Sequence, residues 1–169
     1  MAVGYVTRAV TFTLDPSVSQ VRMLHNYFGA ARFSFNWALG LVKANLATRA
    51  AERAAGVEAA DLTPPVSWSP YSLRKQFNAA KRDVAPWWRE TAKHSFDTGI
   101  NQASVALKSW SDSKRGKRKG PRVGFPSFRS KRRPMHSVSF VELNHQLSWL
   151  DVSRHAVRLM LPQALVQSK

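Results

Sequence analysis

The chain has 169 residues, 44% of them apolar, with six Trp, nine Phe and no Cys. That is enough apolar material for a buried core and argues against a disordered chain, while the lack of Cys removes disulfides and thiolate zinc sites. A net charge of +16 and a pI near 11.3 suit a polyanionic partner, nucleic acid before an anionic membrane.

The opening, MAVGYVTRAVTFTLDP, is interrupted by Arg8 and does not read as a signal peptide. No apolar run approaches membrane-spanning length, so the expectation is an intracellular, cytoplasmic protein without a membrane partner. Within residues 5–14, Val10, Phe12 and Leu14 share one face of a strand and Thr11 and Thr13 the other. Asp15-Pro16 then reads as an N-cap and first helical position. Behind it, Val18, Val21, Leu24, Phe28, Ala31, Phe35, Leu39 and Val42 recur at spacings of three and four, which predicts a long helix. Gly29 inside that helix suggests a close packing contact, since glycine costs about 1 kcal/mol there against alanine.

Residues 47–60 are Ala-rich and charged, read either as an extension of the helix or as a flexible outer segment, and DLTPPVSW breaks any helix. Ser69-Pro70 opens a second helix through about Val84, with Leu73, Phe77, Ala80 and Val84 inward. A third carries Trp88, Ala92, Phe96, Ile100, Ala103, Leu107 and Trp110. Trp37, Trp87, Trp88 and Trp110 are read as core. Beyond Pro134, HSVSFVEL, QLSWLDV and HAVRLMLP alternate as three short strands, with turns at Asn144-His145 and Ser153-Arg154. The expected fold class is therefore α+β: a partial, wedge-like β-barrel with an inserted three-helix lobe.

Between the third helix and these strands lies KRGKRKGPRVGFPSFRSKRR, residues 114–133, with ten Lys or Arg and no acid. One reading is a solvated linker, because blocks of like charge repel and extend. The other is an ordered contact for nucleic acid, favoured by Phe125 and Phe128 in the middle of the run. Gly120, Gly124 and Pro126 would let the chain turn, leaving Arg122, Arg129, Lys131, Arg132 and Arg133 along a phosphate path. Arg115, Lys117, Arg118 and Lys119 add to the same run. Arg74, Lys75 and Lys81 give the second helix a basic outer face, suited to phosphate contact or to plain solvation.

Several words of this sequence, in this order, resemble TnpB/OrfB-type insertion-sequence proteins, the transposon-associated relatives of compact type V CRISPR effectors. They are the P-x-x-x-Q start at Pro16 to Gln20, the R-x-x-[YF]-N-x-x-L word at Arg32 to Leu39, SWSPYSLRKQF, HSFDTGINQASVALKSW, GPRVGFPSFRSKRR and HAVRLMLP. Members of that family are RNA-guided DNA nucleases with a wedge domain, a helical recognition lobe and a RuvC-like nuclease domain. The resemblance implies a wedge start over 1–15, a recognition-like lobe over 16–110, a basic loop over 111–135, returning wedge strands over 136–162 and a divergent tail over 163–169. It also implies a copy cut short before the nuclease domain, whose missing portion would act in trans. Arg32 and Asn36 would hold the first helix or touch nucleic acid, and Arg8 would face nucleic acid from the first strand.

Composition bears on catalysis independently. Two-metal phosphodiester cleavage needs converging carboxylates, and the ten acidic residues form no D-x-D or comparable cluster. The five His are scattered and make no zinc word without Cys. The expectation is therefore no catalysis by this chain, no metal and no cofactor, and a structured RNA or DNA partner read by shape. Two alternatives stand beside it: a sequence-specific helix-turn-helix DNA binder, and a nonfunctional truncated remnant with exposed strand edges.

Overall fold

A computed structural model describes residues 15–132, Ser137, and the backbone of 150–153 and 156–159. The body is helical: α1 (Val18–Ala54), α2 (Pro70–Val84), a short 3-10 turn (Trp88–Glu90) and α3 (Lys93–Lys114). At about 1.5 Å per residue, α1 runs for about 55 Å. It starts one step later than Asp15-Pro16 suggests. Ser17 is the N-cap, its hydroxyl accepting from the Gln20 amide while the Gln20 side chain accepts from the Ser17 amide at 2.8 Å. The helix then continues through the first half of the Ala-rich segment.

Five hydrogen bonds tie the proline segment that follows back to α1. The Asn45 amide donates to the Pro64 carbonyl at 2.9 Å and accepts from the Val66 amide at 3.0 Å. Glu52 accepts from the Thr63 amide at 2.9 Å and from the Thr63 hydroxyl, and Arg49 donates to the Thr63 carbonyl. The second helix begins where Ser69 and Pro70 place it, with the Ser69 hydroxyl accepting from the Ser72 amide at 3.2 Å. Its inward face is Leu73 and Phe77, whereas Val84 is 37% exposed. Trp88 lies in the 3-10 turn rather than in α3, which starts at Lys93.

The core is formed where the three apolar stripes meet: Phe35, Leu39 and Val42 of α1, Leu73 and Phe77 of α2, and Phe96, Ile100, Ala103 and Leu107 of α3. The Phe77 ring lies 5.1 Å from Trp37, edge-on, and 5.2 Å from Phe96; Trp87 stands 5.5 Å from Phe96. All four tryptophans expected in the core are partly buried, and Trp37, Trp87 and Trp88 pack against the buried cluster. The α1–α3 crossing is tight because small residues line it. A Cβ at Gly99 would overlap the Ala31 carbonyl oxygen and the Ser34 hydroxyl and stand 2.9 Å from the Ala31 carbonyl carbon. The Ser34 hydroxyl bridges the crossing by donating to the Phe96 carbonyl at 2.8 Å. Gly29, expected at a close contact, has nothing within 4 Å of the place a Cβ would occupy, so Gly99 takes that role instead.

The expected α+β class, a partial β-barrel carrying a helical lobe, is corrected: the described body is all-α. Its three helices bury their stripes against one another, so no sheet is needed to cover them. Among the described residues, strand pairing is confined to Leu150–Ser153 with Ala156–Leu159, antiparallel, with Leu150 opposite Leu159 and Ser153 opposite Ala156. Two strands do not close a barrel. Ser153 belongs to that ladder rather than to a turn. The strands expected at 5–14, Arg8 included, and at 136–143 lie outside the described residues apart from Ser137, and so does Arg133 of the basic run.

Candidate nucleic-acid interface

Downstream of α3 the basic segment does not leave the body. The helix ends at Lys114, and Gly116 (φ 67°) and Gly120 (φ 99°) turn the chain through the left-handed region that only glycine enters freely. From Val123 the segment is strapped across the helices. The Val123 amide donates to the Ser113 hydroxyl at 2.9 Å, and the Phe125 ring meets Trp110 edge-on at 5.0 Å. Asn36 then grips the backbone of Arg129 on both sides. Its amide nitrogen donates to the Arg129 carbonyl at 2.9 Å, and its oxygen accepts from the Arg129 amide at 2.8 Å.

Arg129 turns its side chain toward the helices. The guanidinium lies 3.6 Å from the centre of the Phe35 ring and donates to Gln102 Oε1 at 2.6 Å. Burial lowers its pKa from the ordinary arginine value. The residue before it points the other way: Phe128 is 52% exposed, with the Lys43 ammonium 5.5 Å from its ring centre. Lys131 and Arg132 follow, both exposed.

A groove of about 1030 Å³ runs beside this strap, lined by His25, Arg32, Phe33, Asn36, Trp87 and Lys131, with Glu90 the acid on its wall. The fold therefore brings Arg32, Asn36 and Lys131 to one surface and sets Phe128 and Arg129 next to it. It leaves the α2 cations outside that groove. Arg74 donates to the Pro70 carbonyl of its own helix at 3.2 Å, and Lys81 donates to Asn78 at 3.2 Å while lying 4.1 Å from the centre of the Trp88 ring. Lys75 is exposed. In the loop after α3, Lys117, Arg118, Lys119 and Arg122 are exposed. Arg115 is tied to the Ser111 hydroxyl at 3.1 Å, and Arg118 to the Pro121 carbonyl at 3.2 Å.

Gln102, Ser113, Gly40 and Lys43 help seat the strap and were not singled out by sequence. Gln102 carried one signal, its place inside a family-like word; the others sit on helices with no local mark of a partner far along the chain. Among the described residues no three His, Asp or Glu side chains gather closely enough to hold a metal ion. No described helix is long and apolar enough to cross a membrane.

Residues 1–50 match a family model described as a helix-turn-helix domain, that of OrfB proteins of the IS605 type. Over 144 residues the chain is 35% identical to two proteins of Mycobacterium tuberculosis, from strains CDC 1551 / Oshkosh and H37Rv, each carrying the name "Putative RNA-guided DNA endonuclease". That similarity covers 81% of this chain and 29% of each relative, so the chain spans less than a third of their length. No solved structure matches it significantly. Within the described part of the matched domain, Val18 onward is one unbroken helix to Ala54, with no turn to divide it into a reading pair. The domain match over the opening residues and the identity along most of the chain agree with the ordered family words, so this chain is similar to part of the TnpB/OrfB-type insertion-sequence proteins.

Proposed function

We propose that this chain is a nucleic-acid-binding module of a TnpB/OrfB-type protein, engaging the backbone of guide RNA or of an RNA–DNA duplex by shape. Cleavage is left to a nuclease portion carried elsewhere in a longer protein or supplied in trans. The observation that carries this reading is the docking of Val123–Arg129 onto α1 and α3, which fixes where the cations around it stand. A loose tether would bind as a diffuse cloud of charge, whereas a docked strap presents Arg122, Lys131 and Arg132 from one place. The name of the M. tuberculosis relatives, which specifies RNA guidance and DNA cleavage, supports the choice of ligand. The unbroken α1 favours shape over the sequence reading of a compact two-helix motif. Such a module belongs in the bacterial cytoplasm, and with the nucleoid when DNA is bound.

The test is binding of the purified chain to a structured RNA, a single-stranded DNA and a duplex DNA of equal length, at about 50 and about 200 mM salt. Engaging six phosphates makes affinity fall roughly 10³-fold or more between those concentrations. A preference for the structured RNA that survives at the higher salt is the expected result. Equal binding to all three, lost at the higher salt, would reduce the surface to counterion chemistry. A preferred duplex sequence would instead favour a DNA-reading domain.

A further inference from the structure

Phe128 is an anomaly in a folded chain. A large aromatic ring 52% exposed costs solubility, whereas the other phenylalanine of the same strap is partly buried and packs edge-on against Trp110. The cause lies in the backbone beside it. Asn36 holds both the amide and the carbonyl of Arg129, and the Arg129 side chain is committed to Phe35 and Gln102. With that residue fixed inward, its neighbour Phe128 is held on the outer side of the strap and cannot fold into the core.

What lies under the ring is equally specific. Asn36, Gly40 and Lys43 follow one another at spacings of four and three, so they form one stripe along α1. Asn36 grips the strap, and the ring lies over Gly40, where a Cβ would meet it at an ordinary contact distance of 3.9 Å. Lys43 sets its ammonium 5.5 Å from the ring centre. A second flank of cations, Lys131 and Arg132, follows a few residues on, and no acid occurs anywhere in residues 114–133.

We propose that Phe128 is a stacking platform for a single unpaired nucleobase, with Lys43 and the Lys131–Arg132 pair placed for the phosphates on either side of it. Every nucleobase has a π-face that can stack on such a ring, and the site is therefore indifferent to base identity. A base inside a continuous duplex is already stacked on its neighbours and is not available to it. The ligand class is thus a single-stranded or flipped-out nucleotide. This rests on the nucleic-acid reading above and narrows it from backbone to base.

The experiment measures affinity of the wild-type chain, Phe128→Ala, Phe128→Leu and Phe128→Trp for an unstructured oligouridylate and for a blunt duplex DNA of equal length. Base–aromatic stacking gives an expected loss of about fivefold to a hundredfold for the oligouridylate in Phe128→Ala. Phe128→Leu, which keeps the apolar bulk but lacks a π-face, falls with it. Phe128→Trp retains wild-type affinity, and duplex affinity stays unchanged in all three. Equal loss for both ligands, or full retention in Phe128→Leu, overturns the stacking platform. A wild-type chain that binds both ligands while Phe128→Ala loses neither overturns this inference alone. A wild-type chain that binds neither overturns the nucleic-acid reading as well.

Discussion

One substitution made at two glycines separates helix propensity from packing in this fold. Gly29 and Gly99 both lie inside helices, so alanine should help each by about 1 kcal/mol on propensity alone. At Gly29 nothing stands within 4 Å of the added methyl group, and that gain is realised. At Gly99 the methyl group would overlap the backbone of Ala31 and the Ser34 hydroxyl, so α3 must move away from α1. Forcing one methyl group into a close-packed contact costs typically about 1–3 kcal/mol. Separating the helices also loosens the Ser34–Phe96 hydrogen bond, worth about 1 kcal/mol net. The expected balance is a loss of about 1–3 kcal/mol for Gly99→Ala beside a gain of about 1 kcal/mol for Gly29→Ala. Urea denaturation followed by far-UV circular dichroism reads both as shifts of the midpoint in opposite directions. A Gly99→Ala protein as stable as wild type would refute the α1–α3 contact described above.

Asn36→Ala removes two hydrogen bonds to the Arg129 backbone, weakening strap docking by about 2 kcal/mol at roughly 1 kcal/mol each. The expected outcome is faster trypsin cleavage around Arg129 and Lys131 with little change in global unfolding; an unchanged cleavage rate would sink the latch. Asn36→Asp should behave similarly, because it turns a carboxylate oxygen toward the Arg129 carbonyl. Glu52 has its carboxyl pKa lowered first by the Thr63 hydroxyl, then by the Thr63 amide, with Arg49 and Arg53 adding. Its folded pKa lies below the unfolded one, so the tether is fully present above the ordinary glutamate range and lost as pH falls through the depressed value. The Thr63 amide resonance should titrate with a midpoint below that range, and Thr63→Ala should move the Glu52 midpoint up; a midpoint at the ordinary value would contradict the pinning.

Local signals in the sequence placed α2 well: Ser69 caps it, Pro70 fits its first turn, and Leu73 and Phe77 mark its inner face. The same kind of signal failed at the start of α1, because Ser17 and Gln20 form a reciprocal cap that outcompetes Asp15 and Pro16. Strand alternation marked the two segments that pair, Leu150–Ser153 and Ala156–Leu159, but not the architecture, where the expected partial barrel is overturned. A two-residue period says which side chains share a face, but it names no partner strand, and the helices proved able to cover their own apolar stripes.

The charge of the basic run pointed to a polyanionic partner, and the ordered family words pointed to the TnpB/OrfB resemblance. Whether that run was a tether or a strap depended on Asn36 meeting Arg129 across 93 positions. Neither residue carries a local mark of the other. In the same way, sequence singled out Gly29 and passed over Gly99, though both lie inside helices, and only the α1–α3 crossing showed which of them is close-packed. Phe125 and Phe128 stand three residues apart in the same run, yet one ring is packed on Trp110 and the other held outward. Composition and period fix what a residue can do and which way its own element turns it. Which residue it meets is set by the close packing of whole helices, and that is a property of the assembled body.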